Sequence, residues 1–455
     1  MDQSLAISTP AFLPPPPTGA LAHIPGETGW PVIGTTLRVL ADPHGYGQHL
    51  YNKYGPVYRT RSFGMDNVAL AGPDGNELVL FDRDRLFSSR HGWGPVLDLL
   101  FPRGLMLMDF DEHRLHRRML SVAFKTEPMR HYLDALNDGI ARRIALWRKT
   151  GEFLFYPAIK ALTLDLAATS FLGIPWGPEA DRINQAFVDM VAASIAVIRK
   201  PLPGTLMARG VRGRKFMSAF FAREIPARRG ASGDDIFTQL CNATDDDGRT
   251  FSDQEIIDHM IFLMMAAHDT LTSSVTSMVY FLARDPEWQQ RLREELASAV
   301  DDGGNLAYER LGDVQLTEYA FKEALRINAP VPSIPRRALR DFEFKGYHIP
   351  AGTMVGVSPL FTHRMPEIWP EPMAFDPWRF TPANSAGRHK YAWVPFGGGG
   401  HMCLGLHFAY MQAKAFLGHL LVHNRVRLPA GYQPEWQLWP MCKPRDGMPV
   451  IVEGL

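Results

Sequence analysis

Cysteine is scarce in this chain: its 455 residues hold only Cys241, Cys403 and Cys442. An odd, small number argues against a disulfide scaffold and fits a reducing compartment. It also excludes a four-cysteine cluster or zinc ribbon built by this chain alone. Charge of one sign is lacking too. Lys+Arg and Asp+Glu both total 48, so the formal net charge is zero and no nucleic-acid partner is expected. No run reaches the ~20 apolar residues of a membrane span, so no transmembrane anchor is expected. Residues 1–30 carry Pro14–Pro17 and lack the apolar core of a signal peptide, which points to the cytoplasm. There is no internal repeat and no long linker. What remains is an ordinary globular composition, 46% hydrophobic and 21% charged, able to bury a large core.

The pattern along the chain is mainly helical, with small sheets at both ends. Val57–Arg61 and Val68–Ala71, separated by Gly64 and Asn67, predict an antiparallel hairpin. Helical spacing dominates from about 75 to 330, short strands and turns follow Pro330, and another helix follows Gly405. Ser252 and Glu255 have capping-box spacing and predict a helix start, and Asp285-Pro286 predicts the next. Between them, the apolar run Met260–Ala267 meets His268-Asp269-Thr270, polar groups that a core helix needs a reason to bury. The segment His91–Phe101 is apolar yet flanked by Gly and Pro, and predicts a mobile wall rather than a core helix.

The strongest chemical signal is Phe396-Gly397-Gly398-Gly399-Gly400-His401-Met402-Cys403-Leu404-Gly405, leading into a helix. Four consecutive glycines let a loop take unusual backbone angles and lie close to a flat cofactor. A cysteine ahead of a helix sees the positive end of its dipole, which favours thiolate. Those are the needs of an axial ligand to haem iron. A phosphate loop is the first alternative, but no Gly-Lys-Ser/Thr follows; zinc is the second, but no other cysteine is near; a buried structural thiol is the third.

Phe396, Gly399, Cys403 and Gly405 resemble the haem-binding signature of the cytochrome P450 superfamily, and the resemblance extends over nearly the whole chain. Glu323 and Arg326 look like the family's Glu-x-x-Arg pair, and Arg379, in Phe375–Phe380, looks like the third member of a buried lock. Ala266-Ala267-His268-Asp269-Thr270 is similar to the family's oxygen-activating motif, with Ala267 where Gly is usual. Ile24-Pro25-Gly26, Ile349–Thr353 and His363-Arg364 keep the family's usual order.

The resemblance implies a mainly α fold with small β-sheets, the P450 fold. Haem b would lie between the long oxygen-activating helix and the cysteine-loop helix. Residues 1–23 form a Pro-rich lead and 24–455 a single domain. Cys403 is the implied metal ligand, with Asp269 and Thr270 catalytic. His113, Arg117, Arg336 (or its neighbour Arg337) and His401 would meet the haem propionates. The implied substrate pocket is Trp93, Leu97, Phe101, Phe262, Met265, Ala266, Ile334 and Met441. The implied reaction inserts one atom of dioxygen into an apolar substrate, terpenoid, steroid, retinoid or fatty-acid-like. Its electrons would come from a ferredoxin or flavodoxin with an NAD(P)H reductase. The alternatives are an oxygen-independent isomerase or dehydratase, a peroxide-driven enzyme, or a non-catalytic haem sensor. The acid–alcohol pair argues against the first two, and an open apolar distal pocket against the sensor.

Overall fold

The computed structural model describes residues 13–196 and 198–455; the first twelve residues of the Pro-rich lead lie outside the described residues. A six-stranded sheet is built from β1 (Gly26–Glu27), β2 (Val57–Ser62), β3 (Met65–Leu70), β4 (Phe87–Ser88), β5 (Ile334–Ala338) and β6 (Met354–Val357), in the order β1-β2-β3-β6-β5-β4. The expected hairpin is β2–β3, with Val57 opposite Leu70. The β5 strand joins the β6 strand through Arg337 opposite Met354. Because strand side chains alternate, Arg336 and Arg337 point to opposite faces.

Three smaller sheets and a majority of helices make up the rest of the described residues. The helices that position the site are α1 (Ser89–Leu97), α2 (Phe110–Leu120), α3 (Phe155–Leu172), α4 (Pro178–Ser194), α5 (Leu206–Arg228), α6 (Asp253–Arg284), α7 (Pro286–Ala297), α8 (Gln315–Ile327) and α9 (Leu406–Leu421). The α6 helix starts where its capping box predicts. Ser252 Oγ accepts from the Glu255 N–H at 3.3 Å, and the Glu255 carboxylate accepts from the Ser252 N–H at 2.8 Å. It ends at Asp285, whose carboxylate takes the Glu287 and Trp288 N–H groups while Pro286 opens α7. Its 32 residues run ~48 Å and pack on α3, α5, α8 and α9 through the main apolar core. Among the described residues, no helix is long and apolar enough to cross a membrane.

The expectation of a mobile wall at 91–101 is corrected. Residues Ser89–Leu97 form a helix despite Gly92, Gly94 and Pro95. Ser88 caps it by accepting from the His91 N–H at 2.9 Å. At its far end, Arg199 and Arg214 donate to the carbonyls of Val96 (2.8 Å) and Leu100 (2.6 Å). Leu97, Leu100 and Phe101 are buried in the main core. Tertiary contacts from distant segments outweigh the local Gly and Pro signal.

Candidate active site

The cysteine loop is shaped by its glycines. Gly397 and Gly399 have φ of 71° and 59°, the left-handed region that favours glycine. Gly399 is needed for space as well, since a Cβ there would collide with the Leu80 carbonyl and stand 3.0 Å from Phe81 Cα. The Cys403 N–H donates to the Phe396 carbonyl at 2.9 Å and closes the loop, so Cys403 sits just ahead of α9. Its side chain is exposed at a wall, yet surrounded by enough protein that burial pushes the thiol up. The Gly405 N–H and the Arg117 guanidinium pull it back. Cys241 and Cys442 are buried outright, and desolvation drives their thiols to about 11 and about 12. Of the three cysteines, Cys403 is the exposed one, and it has an N–H and a guanidinium beside its sulfur.

Beside this loop four basic groups converge from three elements. His113 and Arg117 stand one turn apart on α2, Arg336 comes from β5, and His401 from the loop. The His113 and His401 rings lie 3.9 Å apart. Burial, together with the arginine charges, holds His113 down to about 4 and His401 well below its ordinary value. His113 Nε2 is buried without a hydrogen-bond partner. The acids that reach Arg336, Asp109 and Asp82, are engaged elsewhere, Asp109 by the Ser89 N–H at 2.7 Å and Asp82 by the Phe87 N–H at 3.1 Å. Such a cluster fits a bound group carrying two carboxylates, which would satisfy it. Of the two candidate arginines, Arg336 faces the histidines. Arg337 lies on the other face of the strand, donating from Nε to the Gly352 carbonyl at 2.9 Å.

On α6, Thr270 Oγ1 donates back to the Ala266 carbonyl at 2.7 Å, the back-bonding of a mid-helix alcohol. Ala266 is exposed and Met265, Ala267 and Thr270 are half-buried, in a helix otherwise buried over most of its length. Asp269 turns the other way. Its Oδ1 lies 3.2 Å from Lys160 Nζ and 3.1 Å from His268 Nδ1. Burial would raise its pKa, but the imidazole and the ammonium outweigh that and hold the carboxyl at about 2. Close approach of the His268 ring nitrogen and the Lys160 ammonium is what favours the ionised carboxylate. Lys160 and His268 are the residues that sequence reasoning missed. His268 was legible as a polar interruption, but Lys160, on α3, carries no local signal.

Glu323, Arg326 and Arg379 are brought together. Arg326 grips Glu323 through two hydrogen bonds of 2.7 and 2.8 Å, both side chains fully buried. Arg379 Nε stands 3.3 Å from Glu323 Oε1, close enough for an ion pair though not aligned for a hydrogen bond. The Asp376 N–H fills a further acceptor site on Glu323 at 3.0 Å. Of the expected pocket residues, Ala266 is exposed, Trp93, Met265 and Met441 are half-buried, and Leu97, Phe101, Phe262 and Ile334 are buried.

Known proteins resemble this chain over most of its length. The family described as Cytochrome P450 matches residues 24–443. A Mycobacterium tuberculosis protein, provisionally named cytochrome P450 136, is 41% identical over 96% of this chain and 90% of its own length. Taxane 10-beta-hydroxylase of Taxus cuspidata is 28% identical over 89% of this chain and 84% of its own. Retinoic acid bound cyanobacterial CYP120A1 superposes with a TM-score of 0.87 at 29% identity, covering 95% of this chain and 99% of that one.

Proposed function

The chain belongs to the cytochrome P450 family, and on that premise we propose that it is a monooxygenase inserting one atom of dioxygen into an apolar isoprenoid. The family implies haem with a cysteine thiolate ligand. Residues 24–455 would act as its single domain, in the cytoplasm, with electrons from a ferredoxin or flavodoxin and an NAD(P)H reductase. The observation that carries the proposal is the convergence of His113, Arg117, Arg336 and His401, short of acidic partners, beside the one accessible cysteine.

When bound, haem supplies the redox centre at which dioxygen is reduced and cleaved. Cys403 holds it as thiolate, helped by the Gly405 N–H and Arg117. The four basic groups take its two carboxylates. Thr270, whose hydroxyl proton goes to the Ala266 carbonyl, offers its oxygen as an acceptor that would hold a water beside Ala266, and Asp269, ionised against Lys160 and His268, would relay a proton inward only on turning from those partners. Met265 and Ala266, with Phe262 behind them, wall the substrate on the α6 side. The isoprenoid assignment is supported by two of the similar proteins, whose names carry a taxane and retinoic acid, both isoprenoids.

The test is a spectral titration of the purified ferric protein with retinoids, diterpenoids, steroids and fatty acids, followed by turnover with a ferredoxin, its reductase and NADPH. Tight binding and a product one oxygen atom heavier are expected for isoprenoids. Oxidation of straight-chain fatty acids in preference to every isoprenoid would overturn the substrate class. Turnover without an electron donor would overturn the reaction.

A further inference from the structure

Of the eleven residues of α2, five are buried, and three of those can titrate: Glu112, His113 and His116. A helix seated on ionisable side chains stays seated only while they keep their charge state, because a buried unpaired charge is costly. Glu112 is paired with Arg103, and His113 faces His401. His116 meets α6 instead. Its Nδ1 lies 2.7 Å from Nε2 of His259, and the two residues are 3% and 0% exposed. Phe251 packs against both rings, at centroid distances of 5.4 and 5.1 Å.

Two ring nitrogens in such contact hold one proton between them. The outer end of the pair decides which of them carries it. His116 Nε2 lies 3.5 Å from Glu255 Oε1, and an ionised carboxylate only accepts, so the proton of neutral His116 belongs on Nε2. Its Nδ1 is then bare and accepts from His259 Nε2–H. That leaves His259 Nδ1 without a proton, buried and without a hydrogen-bond partner. Glu255 serves several groups at once. It accepts from the Ser252 N–H in the α6 capping box at 2.8 Å and from Arg249 at 2.9 Å. The other charged or titratable groups facing the pair are Arg103, held by Glu112, and His113, one turn away on α2.

An added proton must go to His259 Nδ1, where it finds no partner, or between the rings, where two N–H groups would face each other across 2.7 Å. Burial, against the pull of Glu255 and with Arg249 and Arg103, holds His116 down to about 4, and burial holds His259 well below its ordinary value. Once the contact opens, both imidazoles reach water and take protons at their ordinary ~6.5. The folded values are depressed, so what the pair contributes is complete above about pH 6.5 and is lost as pH falls toward about 4.

We infer that His116 and His259 form an acid-sensitive latch: while neutral they fasten α2 to the start of α6, and on protonation they free α2, with His113 and Arg117, from its seat beside Cys403. The inference rests on the proposed haem site, since His113 and Arg117 are two of the four basic groups that would hold the cofactor's carboxylates.

The test follows haem transfer from ferric holoprotein to excess apomyoglobin between about pH 7.5 and about 5.5, in wild type and in the His116→Asn/His259→Gln variant, whose amides can hydrogen-bond across the same gap but do not titrate. His113 and His401 are intact in both. Each histidine that regains its ordinary basicity on opening favours the open state by about tenfold over that interval. Wild type should therefore accelerate at least about tenfold more on acidification than the amide pair. Equal acceleration overturns the latch. Should the amide pair lose haem at neutral pH, His116→Leu/His259→Leu takes its place under the same criterion. Hydrogen exchange of wild-type holoprotein, corrected for the intrinsic effect of pH, decides without any variant. Acid should deprotect Phe110–Leu120 and the first turns of α6 ahead of the other helices. Protection unchanged there, or lost uniformly along the chain, overturns the latch. A missing thiolate Soret band beside acid-sensitive exchange would defeat the haem reading alone, and a normal band beside flat exchange would defeat the latch alone.

Discussion

Replacing Asp269 with Asn removes a charge whose worth the structure sets. The carboxyl sits at about 2 against an ordinary 3.8 because His268 and Lys160 outweigh its burial. One pH unit of displacement is ~1.4 kcal/mol, so ionised Asp269 favours the folded state by about 2 kcal/mol. The folded value is depressed. The contribution is therefore complete above pH ~4 and is lost as pH falls toward about 2. Urea unfolding of wild type and Asp269→Asn, at steps from about pH 6 to about pH 3, reads this as a gap that narrows on acidification. Lys160→Met should shrink the gap at neutral pH. Parallel pH dependences in wild type and Asp269→Asn would refute the claim that Lys160 and His268 hold the carboxylate. Asp269 should also stay ionised at every working pH, so the loss of turnover in Asp269→Asn should be the same across the neutral range.

Glu323→Ala leaves the fully buried Arg326 without its carboxylate, at a cost of ~3–5 kcal/mol out of a total stability of ~5–15 kcal/mol. Little haem-loaded protein should be recovered; wild-type yield and haem content would contradict the lock. Thr270→Ala loses the hydroxyl that bonds Ala266 and should keep haem and reductant consumption while sending more electrons to peroxide or water. Equal product per electron in mutant and wild type would count against that role. Arg336→Leu withdraws a buried cation from beside His113 and His401, and should lower haem retention against apomyoglobin capture more than Arg337→Leu does.

What the sequence made legible was local. The capping box at Ser252 and Glu255, the Asp285-Pro286 restart and the β2–β3 hairpin are short-range patterns with a mechanism, and each appears at its expected place. The glycine loop before Cys403 is of the same kind. What escaped was non-local. Lys160 meets Asp269 only because α3 packs on α6, and no spacing encodes that. The α1 helix was hidden by its own Gly and Pro content, because arginines about a hundred residues away in sequence hold its carbonyls. The choice between Arg336 and Arg337 waited on which face of β5 meets the histidines.

The central claim is that Cys403 holds haem iron as a thiolate. It is tested most directly by the absorption spectrum of the reduced, carbon-monoxide-bound protein, recorded for wild type, for Cys403→His and for a variant with Cys241 and Cys442 both replaced by Ala. Wild type and the double variant should show the red-shifted Soret band of thiolate ligation, and Cys403→His should lack it. Survival of that band in Cys403→His, or its loss in the double variant with haem still bound, would contradict the assignment.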